Sequence, residues 1–256
     1  MKPINFTAIY VLWLREMKRF CRARSRIIGT LAIPFFFLAF LGLGFNNMSV
    51  PGVPKNIDYI DFLVPGILGM TMIFTSTFAG VSVLWDREFG FLKEIMVTPV
   101  SRVSIVLGRI IGGVTTELIQ GVLILFISIL MGFKIIGILS FLFSIIFMIL
   151  IAMTFIGLGL IFASKMKDIH GFSLLMNFTI FPLFFLSGAL FPIENLPLWL
   201  RYISYIDPLT YGVDGLRGVL IGFSLFPIIY SFMILVGFSS IMVLLGAYFF
   251  EKSEAV

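Results

Sequence analysis

Residues 138–163 read ILSFLFSIIFMILIAMTFIGLGLIFA, a run without one ionisable side chain. A helix needs about 20 mostly apolar residues to cross the hydrocarbon core of a bilayer, and this run is longer than that. Lipid offers nothing to bond backbone N–H and C=O groups, so such a run must satisfy them internally, as a helix does. Working outward, residues 27–45, 62–84, 103–130, 172–190 and 226–250 pass the same test. The expected fold is an all-α membrane protein: one transmembrane domain over residues 1–256, with six transmembrane helices between 27 and 250. Residues 191–223 are broken by Pro192, Pro197 and Pro208 and carry Glu194, Arg201, Asp207, Asp214 and Arg217. They read as short outer helices at the membrane surface between spans five and six, dipping in only where protein covers their backbone.

Composition excludes most soluble classes. Hydrophobic residues make up 60% and charged residues 12%, about half the ~25% charge of a soluble domain. Mean hydropathy is +1.12. A soluble fold of this size has too little interior to hide that much apolar surface. The single cysteine, Cys21, excludes an internal disulfide and a multi-cysteine metal site. The only histidine, His170, sits beside Asp168 and Gly171 and reads as a solvated loop residue. With no G-x-x-x-x-G-K-[ST] phosphate loop and no G-x-S-x-G elbow, no catalytic residue, metal site or nucleotide site is expected in this chain.

The net charge of +5 is explained by topology rather than by nucleic acid. Of the 18 Lys and Arg residues, 14 fall in the N-terminal segment, the loops after spans two and four, and the tail; only Lys55, Lys134, Arg201 and Arg217 fall on the other side. Basic residues accumulate on the cytoplasmic face, so both termini are expected in the cytoplasm of a multi-pass cell-membrane protein. The basic cluster at 15–26 is followed by no small-residue cleavage site, so the first span is expected to remain as an anchor.

Before that span, Phe6, Tyr10, Trp13, Met17 and Phe20 recur on one helical face, and Arg15, Lys18, Arg19 and Arg22 point away from it. Residues 1–24 are expected to form an amphipathic helix in the cytoplasmic interface, aromatics in lipid and cations toward headgroups. It is either an anchor alone or an elbow that also touches a cytoplasmic partner.

Ionisable residues inside spans are functional suspects. Glu117 lies near the middle of span three among Thr115, Thr116 and Gln120. It lines a substrate path or subunit interface, or it is a protonated carboxyl bonded within the bundle. Gly108 and Gly112 form a G-x-x-x-G on the same span, which permits close helix approach. One intramembrane acid is a poor basis for ion coupling. A separate power source needs a docking element, and residues 85–102, WDREFGFLKEIMVTPVSR, are the best candidate. Phe89, Leu92 and Met96 recur at helical spacing, and Pro99 disfavours helix at Thr98. A short amphipathic helix wedged between spans two and three would fill a partner's groove; the plainer reading is a linker.

These residues, together with Asp58–Leu68, resemble the ABC-2 type permeases, the membrane subunits of a class of ATP-binding-cassette exporters. Trp85-Asp86-Arg87-Glu88-Phe89-Gly90, with Glu94 and then Thr98-Pro99-Val100-Ser101-Arg102, is similar to the family's first cytoplasmic loop. Phe184-Phe185-Leu186-Ser187-Gly188-Ala189-Leu190-Phe191-Pro192, then Leu196-Pro197 and Asp207-Pro208-Leu209-Thr210-Tyr211, resembles its end of span five and outer helices, with Arg217 closing the pattern. The resemblance implies two permease subunits, identical or not, bound to two ATP-binding subunits that carry ATP and Mg and dock on the loop at 85–102. It implies outward transport of a drug, lipid-linked or glycan cargo, with Ser187, Gly188, Pro192, Pro197, Pro208 and Tyr211 in the outer gate region. An ion-coupled carrier, a channel or a membrane-embedded lipid enzyme is the alternative, and flux without nucleotide would mark the first two.

Overall fold

The computed structural model describes residues 4–45, 51–54, 57–90, 100–166 and 168–253. Among the described residues there are helices and connecting turns but no strand. Helix α1 (Phe6–Arg22) is followed by α2 (Arg24–Phe37), which widens into a π turn over Leu38–Leu43. Pro34 inside α2 lacks the N–H that would continue the hydrogen-bond ladder, and the wide turn lies just beyond it. Then come α3 (Tyr59–Glu88), α4 (Arg102–Leu130), α5 (Ile138–Lys165), α6 (Ile169–Leu186), a 3-10 turn (Ile193–Asn195), α7 (Leu198–Ser204), α8 (Pro208–Ile221) and α9 (Ile228–Ser253). Five of these, α3, α4, α5, α6 and α9, are each long and apolar enough to cross a membrane; the pair α1 and Ile27–Leu43, bent by 68°, passes the same test only when taken together, which brings the count to six where the pair is one span.

Both ends of span five differ from the hydropathy reading, and capping explains them. Span five starts at Ile169 rather than 172, because Asp168 accepts hydrogen bonds from the N–H groups of His170 (3.2 Å) and Gly171 (2.6 Å). It stops at Leu186 rather than 190, because Ser187 caps it and Gly188 turns the chain with φ +76°.

Helix α3 is the most enclosed span and packs against α4, α5, α6 and α8. Small residues set how close the helices come. A Cβ on Gly157 of α5 would lie 2.6 Å from the carbonyl of Met242 in α9, and one on Gly246 of α9 would lie 2.9 Å from the Gly157 carbonyl. Backbone therefore meets backbone, the packing that van der Waals contact favours where lipid offers no hydrophobic drive.

The segment at 191–223 divides in two. Helix α7 lies at the surface with Leu198, Trp199 and Tyr202 exposed. Helix α8 is buried from Leu209 to Gly218, as a wedge among α3, α5 and α9. Its 14 residues extend about 21 Å, too short to span. Gly212 sits against Ile151 and Gly215 against Phe147, so the wedge meets α5 on a face without side chains.

The N-terminal helix forms as expected over Phe6–Arg22, but several of its side chains find partners within the chain. Phe6 and Tyr10 are exposed as expected, but Phe20 is buried and Trp13 Nε1 donates to Thr115 Oγ1 in α4 at 3.1 Å. Arg15 and Arg19, expected at headgroups, reach inward to a carboxylate. The cause lies in α4: Gly108 and Gly112 leave a trough, so that Leu12 and Glu16 lie directly on its backbone. The N–H of Asn5, which caps α1, donates to Ser104 Oγ at 2.9 Å and fixes the near end.

Candidate functional site at the α1 end of the bundle

Asp86, in the last turn of α3, is the centre of the site. Its carboxylate accepts from Arg15 Nη1 (2.9 Å) and Nη2 (2.6 Å) on α1, and from Arg109 Nη2 (2.7 Å) on α4. Arg19 stands 3.8 Å away and lies over the Trp85 ring at 5.0 Å. Arg109 lies 5.8 Å from the Phe250 ring of α9. The side chains of Asp86 and Arg109 are each 5% exposed, which makes theirs a buried ion pair. Removing one partner of such a pair costs about 3–5 kcal/mol, because the other charge is left without compensation. Bidentate arginine geometry adds direction to charge, so α1, α3 and α4 are joined at one carboxylate.

The loop candidates divide at this carboxylate. Asp86 faces the bundle, whereas Glu88 and Phe89 are exposed, Phe89 by 81%. Gly90 turns the chain with φ +75°, and Arg87 Nη1 donates to the Met166 carbonyl at 3.0 Å, tying α3 to the connection between α5 and α6. Glu94, Thr98 and Pro99, and the helix expected through Leu92 and Met96, lie outside the described residues, as does the Arg102 side chain. Ser101 caps α4 by accepting from Ser104 N–H.

Glu117 is 1% exposed and enclosed by this chain. With Glu16, Arg109, Thr75, Ser82 and Thr116 it lines a cavity of about 20 Å³ between α1, α3, α4 and α5. Thr116 donates to the Gly113 carbonyl at 2.8 Å, and Gln120 is also 1% exposed. Gly108 and Gly112 seat α1 within the same chain. The sequence reading did not single out Arg15, Arg19 or Arg109 as partners of Asp86. Arg109 was the available signal: an ionisable residue well inside an apolar helix, which the charge survey counts with the loop.

At the opposite end the outer-gate candidates form a backbone-bonded turn. Ser187 Oγ donates to the Phe184 carbonyl, Pro192 opens the 3-10 turn, and Pro197 precedes α7. Asp207 caps α8 ahead of Pro208, Thr210 Oγ1 donates to the Ser204 carbonyl, and Tyr211 Oη donates to the Tyr205 carbonyl at 2.7 Å. Arg217 Nη2 donates to the carbonyls of Phe62 (3.3 Å) and Gly188 (3.0 Å), with its guanidinium 3.8 Å from the Phe62 ring centre. Asp214 accepts from Leu225 N–H, Phe226 N–H and Ser231 Oγ.

Between these ends a groove of about 460 Å³ lies along α2, α3 and α6, lined among others by Pro34, Phe74, Phe78, Thr77 and Asn177. Asn177 is exposed halfway along α6, an apolar span.

Residues 7–221 match the family model described as ABC-2 type transporter. The inner membrane transport permease YadH of Escherichia coli is 28% identical over 242 residues, covering 93% of this chain and 92% of that protein. The putative transport permease ycf38 of Pyropia yezoensis is 29% identical, covering 82% of this chain and 72% of its own length. Nodulation protein J of Rhizobium meliloti is 28% identical, with 86% and 84% covered.

Proposed function

The chain belongs to the ABC-2 type transporter family, and from that premise we propose that it is the membrane permease subunit of an ATP-driven exporter. It works beside a second permease subunit, with both termini in the cytoplasm. ATP and Mg are bound by a separate ATP-binding subunit that docks on the loop at 85–102. The node at Asp86 is the observation that carries this reading. The loop begins one residue before this carboxylate, so a partner pressing on Glu88, Phe89 and Gly90 pushes the end of α3, and the arginines carry that push into α1 and α4. Packed elements with two discrete arrangements transmit such displacements.

The cargo is hydrophobic or amphipathic: a drug, a lipid-linked molecule or a glycan. The groove along α2, α3 and α6 supports this class, because Phe74, Phe78 and Pro34 offer apolar contact and Thr77 and Asn177 offer hydrogen bonds at mid-span.

The experiment is reconstitution of the chain with its ATP-binding subunit in liposomes. Cargo export is expected to need nucleotide, and Glu88→Ala with Phe89→Ala is expected to cut export at least tenfold while unfolding temperature is unchanged, since both side chains are exposed. Undiminished export would remove the loop as the coupling element. Flux through the chain alone, without nucleotide, would overturn the exporter reading.

A further inference from the structure

Along α1 runs an open cleft of about 620 Å³, lined by Val11, Leu14, Arg15, Lys18, Arg19, Arg22 and Ala23. Four of these seven are cations. Arg15 and Arg19 reach past it to Asp86 yet keep 30% and 27% of their side chains exposed. Lys18 and Arg22 are exposed, and no carboxylate among the described residues pairs with them. The acidic groups facing Arg15 are Asp86 and Glu16, the latter at 3.8 Å, so positive charge is in excess here.

The position of the cleft around the helix selects its occupant. On one side lie Phe6 and Tyr10, exposed by 80% and 58%; on the other lie Leu12, Glu16 and Phe20, packed inward. A helix with exposed aromatics beside a basic face lies in the membrane interface, aromatics among the acyl chains. That places the cleft between them and the bundle at phosphate level. Val11, 55% exposed, and Leu14 give it an apolar wall. An acidic protein surface would match the charge but would leave that wall unpartnered, whereas a phospholipid matches both.

We propose that this cleft is a binding site for the phosphate headgroup of an anionic phospholipid, held by Lys18 and Arg22 together with the outward faces of Arg15 and Arg19. The site needs neither nucleotide nor cargo, so its test is separate from that of the exporter reading. The complex is placed in nanodiscs of phosphatidylcholine with phosphatidylglycerol, and retained lipids are counted by native mass spectrometry. Phosphatidylglycerol is expected to be retained over phosphatidylcholine. Lys18→Gln with Arg22→Gln is expected to weaken that retention about thirtyfold, since each basic residue near a membrane contributes about 1 kcal/mol. A matched control, Lys134→Gln with Arg201→Gln at the opposite end, is expected to change nothing. Equal retention of both lipids, unchanged retention in the double variant, or an equal loss in the control overturns the proposal. So does a double variant that keeps the lipid but loses the ATP-binding subunit, which would assign the cleft to protein.

Discussion

At one end of the bundle, Asp86 gathers Arg15, Arg19 and Arg109 into a knot of side chains joining three helices. At the other, Arg217 and Asp214 are equally buried but bond to backbone: Arg217 to two carbonyls, Asp214 to two N–H groups and a serine hydroxyl. The first arrangement depends on charge pairing between side chains of three helices at a shared carboxylate. The second fastens the main chain itself, with glycines of α8 pressed on α5. The proposed coupling needs one end that transmits displacement and one that keeps shape, and it assigns the side-chain knot to the first and the backbone-bonded turn to the second.

The largest test of this contrast is Gly215→Leu. A Cβ there falls deep inside contact distance of a Phe147 ring carbon, an overlap well beyond the overpacking that costs about 1–3 kcal/mol; with α8 expelled, size-exclusion chromatography should show no monodisperse protein. Next is Asp86→Ala, expected to lower stability by about 3–5 kcal/mol, as for a broken buried pair. A shift under about 1 kcal/mol, the range of exposed pairs, would show the knot to be solvated. Arg217→Lys keeps the charge but loses the planar guanidinium that lies over the Phe62 ring while its Nη2 bonds two carbonyls; a loss of about 1–3 kcal/mol in thermal melts is expected. Gly112→Ala meets the Cβ and Cγ of Glu16, at 2.9 and 3.0 Å, and because a Cβ moves only with its backbone α1 itself must shift slightly, so about 1 kcal/mol is expected, with α1 becoming more open to protease.

The smallest effect concerns Asp168, outside both regions. The N–H groups of Gly171 and His170 hold its carboxyl below the usual carboxylate range. Because the folded value is the lower one, its stabilisation is complete above the unfolded value and is lost as pH falls through the folded one. Asp168→Ala should therefore lower the unfolding temperature slightly at neutral pH and make no difference in strong acid, while Asp168→Asn, still able to cap, should lie closer to wild type.

How much of this was legible in the sequence follows from the range of each interaction. The spans were legible because hydropathy is local: 138–163 cannot be anything but a buried helix. The seat of α1 was not, since its contacts join residues about a hundred positions apart, Asn5 with Ser104 and Trp13 with Thr115. Gly108 and Gly112 announced a close approach without naming what approaches. Helix α8 was half legible. Its prolines marked a break, but Asp214 and Arg217 resemble surface charges until the main-chain groups that satisfy them are seen.

The seat of α1 also gives the protein an optical readout of its own. Of the three tryptophans in the chain, Trp13 is hydrogen-bonded across that seat, Trp85 lies beneath Arg19 at its edge, and only Trp199 is remote and 64% exposed. Lifting α1 from α4 would release one indole from its hydroxyl and uncover the other. With Trp199→Phe as background, intrinsic emission becomes a label-free gauge of whether this helix rides with the bundle during a transport cycle.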